Sequence, residues 1–170
     1  MNVEKVYKMS MPPVKLVGMR FTDSDRGENG TFSQYWQQAF QDGWFAILEQ
    51  CERAPGVGGD YIGTMRIIGD GPDSFEYWIG MFLSPDAVVP ETFDSVEIPA
   101  GEVGVCWLYG SDKNGELFSM EASDLSMAAI KDQGWEFSEK GWFFERYNNP
   151  RFTEPDAAGN VILDICAYLI

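Results

Sequence analysis

Glu145 has the most unusual surroundings of any acidic residue in the chain, inside the run Trp142–Tyr147 (WFFERY). If that run is a strand, side chains alternate between faces. Phe143, Glu145 and Tyr147 then share one face, and Trp142, Phe144 and Arg146 share the other. A carboxylate between two rings is expensive to bury without a partner. It needs a hydrogen-bond donor, a raised pKa or a cationic ligand, unless the face is open to solvent or an arginine pairs with it. Two kinds of chemistry follow. A carboxyl of raised pKa can act as a general acid or base. A poorly hydrated carboxylate among aromatic faces can hold an organic cation. Cation–π attraction adds about 0.5–2 kcal/mol per ring, so several rings and one such carboxylate reach the roughly −8 kcal/mol of micromolar binding.

Rings are plentiful: 12 Phe, 7 Tyr and 6 Trp make up 15% of the chain, enough to fill a core and still line a cavity. Trp107, in the middle of GVCWLY, shares a strand face with Val103 and Val105. Tyr61, Tyr77, Trp36 and Trp78 are further ring candidates near the expected seam of the fold, with core packing the competing role for each. The chain has no histidine, which removes His-based triads and most catalytic zinc sites. Cys51, Cys106 and Cys166 are far apart and form no CxxC pair, so they read as buried, reduced core residues. Asp23, Asp25 and Glu28 imitate the start of a calcium loop, but the ligand spacing is incomplete. The glycines of 56–59 (GVGG) lack the lysine of a phosphate loop. No metal and no cofactor is therefore expected.

The 27 acidic residues outnumber 12 basic ones, for a net charge of −15. Phosphate contacts need clustered Lys and Arg, so direct nucleic-acid binding is not expected. The acidity can be a solvated surface or a field that draws cations. The longest apolar runs are too short to span a bilayer and the N-terminus lacks a signal pattern, so no membrane association and a cytoplasmic location are expected.

The elements that must position Glu145 can be read along the chain. Val14–Phe21 (VKLVGMRF) is a first strand. Thr31 and Gln34 have capping-box spacing ahead of one long amphipathic helix that carries Trp36, Phe40 and Ile47 and stops near Pro55-Gly56. Tyr61–Ile68 and Phe75–Leu83 form a hairpin turning at 69–72. After a Pro-containing connector, Glu102–Tyr109 is a strand, a helix lies between Leu117 and Gln133, and Trp142–Tyr147 and Val161–Ile170 are strands. The order strand, helix, strand, strand occurs twice, over about 14–83 and about 96–170. That predicts an α+β fold in a single domain, 1–170: a mostly antiparallel sheet, two helices on one side and a pocket between the repeats.

The tandem order, together with three stretches, resembles the GyrI-like small-molecule binding domain, the effector-binding part of AraC- and MerR-type multidrug-responsive regulators. The stretches are TFSQYWQQAF, IPAGEVGVCWLYG, and FFERYNNPRF followed by NVILDICAYLI. The resemblance covers about Val14 to Ile170. It implies that Glu145, in the family's aromatic-Glu-x-Tyr strand, sits at the centre of a pocket for cationic, aromatic ligands, with Tyr147 beside it. The chain departs from the family in its last strand, where Ala167 and Tyr168 stand in place of a common proline.

Three functions remain open at this level. The first is a stand-alone ligand-binding module, for sensing or sequestration, with Glu145, Tyr147, Trp107, Tyr61, Tyr77 and Trp36 as binding residues. The second is a hydrolase of small reactive electrophiles, with Glu145 as acid or base and Tyr147 or Trp107 positioning substrate or water. The third is an acidic protein-interaction module facing a basic partner, such as a topoisomerase antagonist.

Overall fold

The computed structural model describes residues 1–69, 74–138 and 141–170. Its elements in chain order are β1 (Asn2–Met11), β2 (Val14–Phe21), α1 (Ser33–Gln41), α2 (Trp44–Leu48), β3 (Tyr61–Ile67), β4 (Phe75–Leu83), β5 (Asp94–Ile98), β6 (Gly101–Gly110), α3 (Met120–Lys131), β7 (Phe143–Tyr147) and β8 (Val161–Tyr168). The fold is α+β with antiparallel pairing. Two compact units can be distinguished: residues 12–100, and residues 101–170 joined by residues 1–11.

In the unit 12–100 the strands run β3-β4-β2-β5. Odd-numbered residues of β2 and β4, among them Val17, Phe21, Ile79 and Met81, pack under Ala39 of α1 and Phe45 and Leu48 of α2. Burying each large side chain there is worth about 1.5–3 kcal/mol. Gly18 and Gly80 face each other across β2 and β4, where the backbones leave no room for a side chain. A Cβ on Gly18 would run into the Ile79 carbonyl oxygen, and one on Gly80 into that of Val17.

In the other unit the strands run β1-β6-β8-β7. Cys106, Leu108, Leu163 and Ile165 form a core with Leu117 and with Ala122 and Ile130 of α3. The Ser119 hydroxyl caps α3 by accepting from the Ala122 amide at 3.1 Å, and Glu121 and Lys131 sit at the helix ends that favour their charges. Leaving aside β1 and β5, each unit has the strand-helix-strand-strand order expected from sequence.

Several expectations change. The sequence pattern does not mark β1, although it pairs with β6 along its length. A register shift between Val3 and Lys5 breaks the alternation that would have marked it. The single long helix is instead two, α1 and α2. Gly43 separates them with φ at 69°, a conformation that helix does not use and that glycine adopts freely. The Thr31–Gln34 capping box does not form. Phe32 is the N-cap residue, and the Gln34 amide instead donates to the Asp25 carbonyl. Cys106 and Cys166 are buried, but Cys51 keeps partial exposure. The hairpin turn beyond Gly69 lies outside the described residues.

Candidate ligand-binding site

β7 pairs with β8 so that Glu145 stands opposite Ile165, and β8 pairs with β6 so that Ile165 stands opposite Cys106. These three side chains therefore point to one side of the sheet, the side that carries α3. Phe143 and Tyr147 lie on the same side, against the same core. The alternation read from WFFERY is thus the alternation in the fold.

Glu145 is half-buried. Its Oε2 accepts a 2.6 Å hydrogen bond from the Tyr147 hydroxyl. Burial pushes the Glu145 carboxyl up to about 7, and the Tyr147 bond draws it part of the way back. Among the described residues no lysine or arginine forms an ion pair with it. Arg146, the adjacent residue, points to the opposite face and spends its guanidinium on Asp164 at 2.6 Å. The result is a carboxyl that loses its proton near neutral pH and, among the described residues, has no counter-charge paired with it.

Two further rings, which sequence reasoning did not single out, stand beside Tyr147. The Phe152 ring meets it edge-on with centroids 4.8 Å apart, and the Phe118 ring lies tilted by 30° at 6.5 Å. Phe118 is exposed. Phe118 lies in a short 3-10 turn and Phe152 follows the strand in NPRF. Neither segment has a period that would have marked them.

Trp107 does not join this group. It pairs with Asp164 across β6 and β8, on the face away from α3, and its nearest ring is Tyr7, edge-on at 5.9 Å. It cannot position a substrate on Glu145 through contact on that side of the sheet. The remaining sequence candidates belong to the unit 12–100. The Trp36 indole donates to the Tyr77 hydroxyl at 2.9 Å. Tyr77 is buried and stacks on Phe32 at 4.3 Å, a core arrangement. Tyr61 stacks on Phe45 at 3.8 Å and donates to Glu49 at 2.8 Å. Burial and the Glu49 carboxylate push the Tyr61 phenol up to about 12. Trp78 is buried on the other face of β4, donating to Glu76.

Shallow hollows open elsewhere among the described residues. One, of about 320 Å³, is lined by Tyr109, Pro150, Arg151, Asp156 and Asn160 among others. The second is lined by polar residues between Gly27 and Gln37. Neither includes Glu145. In the acidic loop, Asp23 is engaged by Arg26 at 2.8 Å and Asp25 by the Thr22 amide at 2.7 Å.

At the level of sequence, no family model and no curated protein matches the chain. Solved structures do match in fold. The structure of SAV2435 bound to tetraphenylphosphonium has a TM-score of 0.71 at 17% identity, covering 98% of this chain and 94% of that one. A protein of Staphylococcus aureus MU50 assigned to bacterial transcription regulation has a TM-score of 0.67 at 16% identity, covering 97% of both chains. The EcmrR C-terminal domain has a TM-score of 0.61 at 14% identity, covering 100% of this chain and 99% of that one. The chain shares its fold with these proteins. This is the fold that the resemblance to GyrI-like domains implies. In the EcmrR–DNA complex the match spans 57% of the EcmrR chain. Among the described residues no helix is long and apolar enough to cross a membrane.

Proposed function

We propose that this fold binds a small aromatic organic cation at Glu145, in a sensing or sequestering protein of the cytoplasm. One observation carries the reading: a half-buried carboxyl, poised near pH 7, with a tyrosine as its hydrogen-bond donor and, among the described residues, no lysine or arginine in an ion pair with it. A ligand cation supplies the missing charge and favours the ionised form. Tyr147, Phe118 and Phe152 offer the ring faces, each worth about 0.5–2 kcal/mol toward a cation. A hydrated inorganic ion would gain too little from such surroundings to shed its water. SAV2435, which shares the fold, is bound to tetraphenylphosphonium, a cation of this chemical class.

The test is a titration with tetraphenylphosphonium followed by tryptophan fluorescence and calorimetry. Saturable binding to the wild type, weakened at least ten-fold in Glu145→Gln, is expected. Equal affinity in the two proteins would remove Glu145 from the site.

The same raised pKa favours a second reading, hydrolysis of a small electrophile with Glu145 as general acid or base. Turnover of activated esters above the buffer rate, lost in Glu145→Gln, would support it. A rate equal to buffer removes it.

A further inference from the structure

The two units repeat one polar device on the sheet face away from their helices. In the unit 12–100, Glu76 on β4 is buried and takes Arg20 at 2.7 Å and Arg66 at 2.9 Å. The indole of Trp78 also donates to it at 3.3 Å. Burial alone would push the Glu76 carboxyl up, but the bonds from Arg66, Trp78 and Arg20 hold it below its ordinary range. The device is closed: carboxylate, two guanidiniums and the indole N–H are all partnered.

In the other unit, Asp164 on β8 has no solvent exposure and takes Arg146 at 2.6 Å and Arg151 at 2.7 Å. Trp107, on the neighbouring strand, is the tryptophan of this device. Here the indole has no acceptor. Its Nε1 is buried and without a hydrogen-bond partner. Two cations lie against the same ring, Lys5 Nζ at 4.8 Å and the Arg151 guanidinium at 4.5 Å from its centre. Among the described residues Lys5 forms no ion pair, and Arg151 directs only Nε and Nη2 at Asp164, leaving Nη1 over. Three cations thus face one carboxylate, in a chain whose net charge is −15. Two other acids rim the hollow that Arg151 lines. Of these, Asp156 is already bound by the Tyr109 hydroxyl and by the Ala158 and Asn160 amides, and Glu154 is exposed.

We infer that the Trp107–Lys5–Arg151 cluster is a binding site for a small oxyanion, a phosphate or carboxylate group, distinct from the cation site at Glu145. An oxyanion provides acceptors for the idle donors and neutralises the excess positive charge. Lys5 is exposed, so its chain can move off the indole to admit the anion and then contact it. Trp78, whose N–H is already bound, marks what the completed arrangement looks like. The site lies on the opposite face of the sheet from Glu145, so the cation reading and this one stand or fall separately.

The test is a titration of uniformly ¹⁵N-labelled protein with inorganic phosphate, and separately with acetate, at constant ionic strength, following the indole N–H resonances. Trp107→Phe assigns the Trp107 signal. The site predicts a saturable shift of that signal with the Trp78 signal unmoved, and at least three-fold weaker binding in Lys5→Gln, a surface change that leaves the core intact. Tighter binding of phosphate than of acetate identifies a phosphoryl group as the natural occupant, and the reverse identifies a carboxylate. A Trp107 signal that stays still, that drifts linearly with every other indole, or that saturates identically in Lys5→Gln overturns the proposal.

Discussion

The Tyr147 hydroxyl donates its hydrogen bond to the carboxyl of Glu145, two residues back on the same strand and the same face. Strand geometry makes the pair: side chains at i and i+2 point the same way, and the tyrosine is long enough to turn its hydroxyl back onto its neighbour. Because the bond favours the charged form while burial disfavours it, the pair sets Glu145 near neutrality rather than far above it. The first predictions follow from this balance.

Stability should depend on pH through Glu145. Its folded pKa of about 7 lies above the ordinary value of 4.5, so between those values the folded state holds a proton that the unfolded state has released. The stabilising contribution is complete below pH 4.5 and is lost as pH rises through 7. It amounts to about 2–3 kcal/mol, allowing for partial exposure of the side chain. Urea unfolding at a series of pH values should show the wild type losing this much between pH 4.5 and 8 relative to Glu145→Gln. Parallel curves for the two proteins would contradict it.

Tyr147→Phe removes the hydrogen bond that draws the Glu145 pKa down, and should raise it by about one unit. At pH 7 this leaves a smaller ionised fraction and weakens tetraphenylphosphonium binding roughly five-fold. The deficit should shrink above pH 9, where the carboxyl is ionised in either protein. An equal deficit at all pH values would mean that the ring contact, not the hydrogen bond, is what was lost.

Asp164→Asn leaves Arg146 and Arg151 facing a neutral amide at a fully buried position. Breaking a buried ion pair from one side costs about 3–5 kcal/mol. Glu76→Gln, which takes the carboxylate away from Arg20 and Arg66, should lose a comparable amount. Chemical denaturation measures both. A loss below about 1 kcal/mol in either would show that these carboxylates behave like surface ion pairs.

Two glycines should respond differently to alanine. At Gly43 a Cβ meets nothing within 4 Å, so only the positive φ of 69° opposes it, at about 1 kcal/mol. At Gly18 a Cβ collides with the backbone of β4, which has nowhere to move. Gly18→Ala should fail to give a folded protein by circular dichroism, whereas Gly43→Ala should fold with a slightly lowered midpoint.

Much of the fold was legible because its signals are local. β2 and β4 begin and end where the apolar runs do, and the face shared by Phe143, Glu145 and Tyr147 follows from alternation alone. Illegible features depended on contacts distant in sequence or on irregular backbone. β1 is recognisable only from its pairing with β6, since a register shift destroys its period. The break at Gly43 was masked by apolar residues that continue at helical spacing on both sides. Trp107 shares a face with Val103 and Val105 by alternation, but which face that is relative to Glu145 depends on the register of β6 against β8 and of β8 against β7. Phe118 and Phe152 come from turns and reach Tyr147 only through folding.

Proton release on ligand binding probes the poised carboxyl at its source. Calorimetric titration of tetraphenylphosphonium at pH 6, in two buffers of different ionisation enthalpy, counts protons set free per cation bound. With Glu145 near pKa 7 in the empty protein and ionised beneath the cation, about 0.9 proton should be released, and none in Glu145→Gln. Binding of the wild type without proton release, or with the same release in both proteins, would contradict the placement of Glu145 against the ligand.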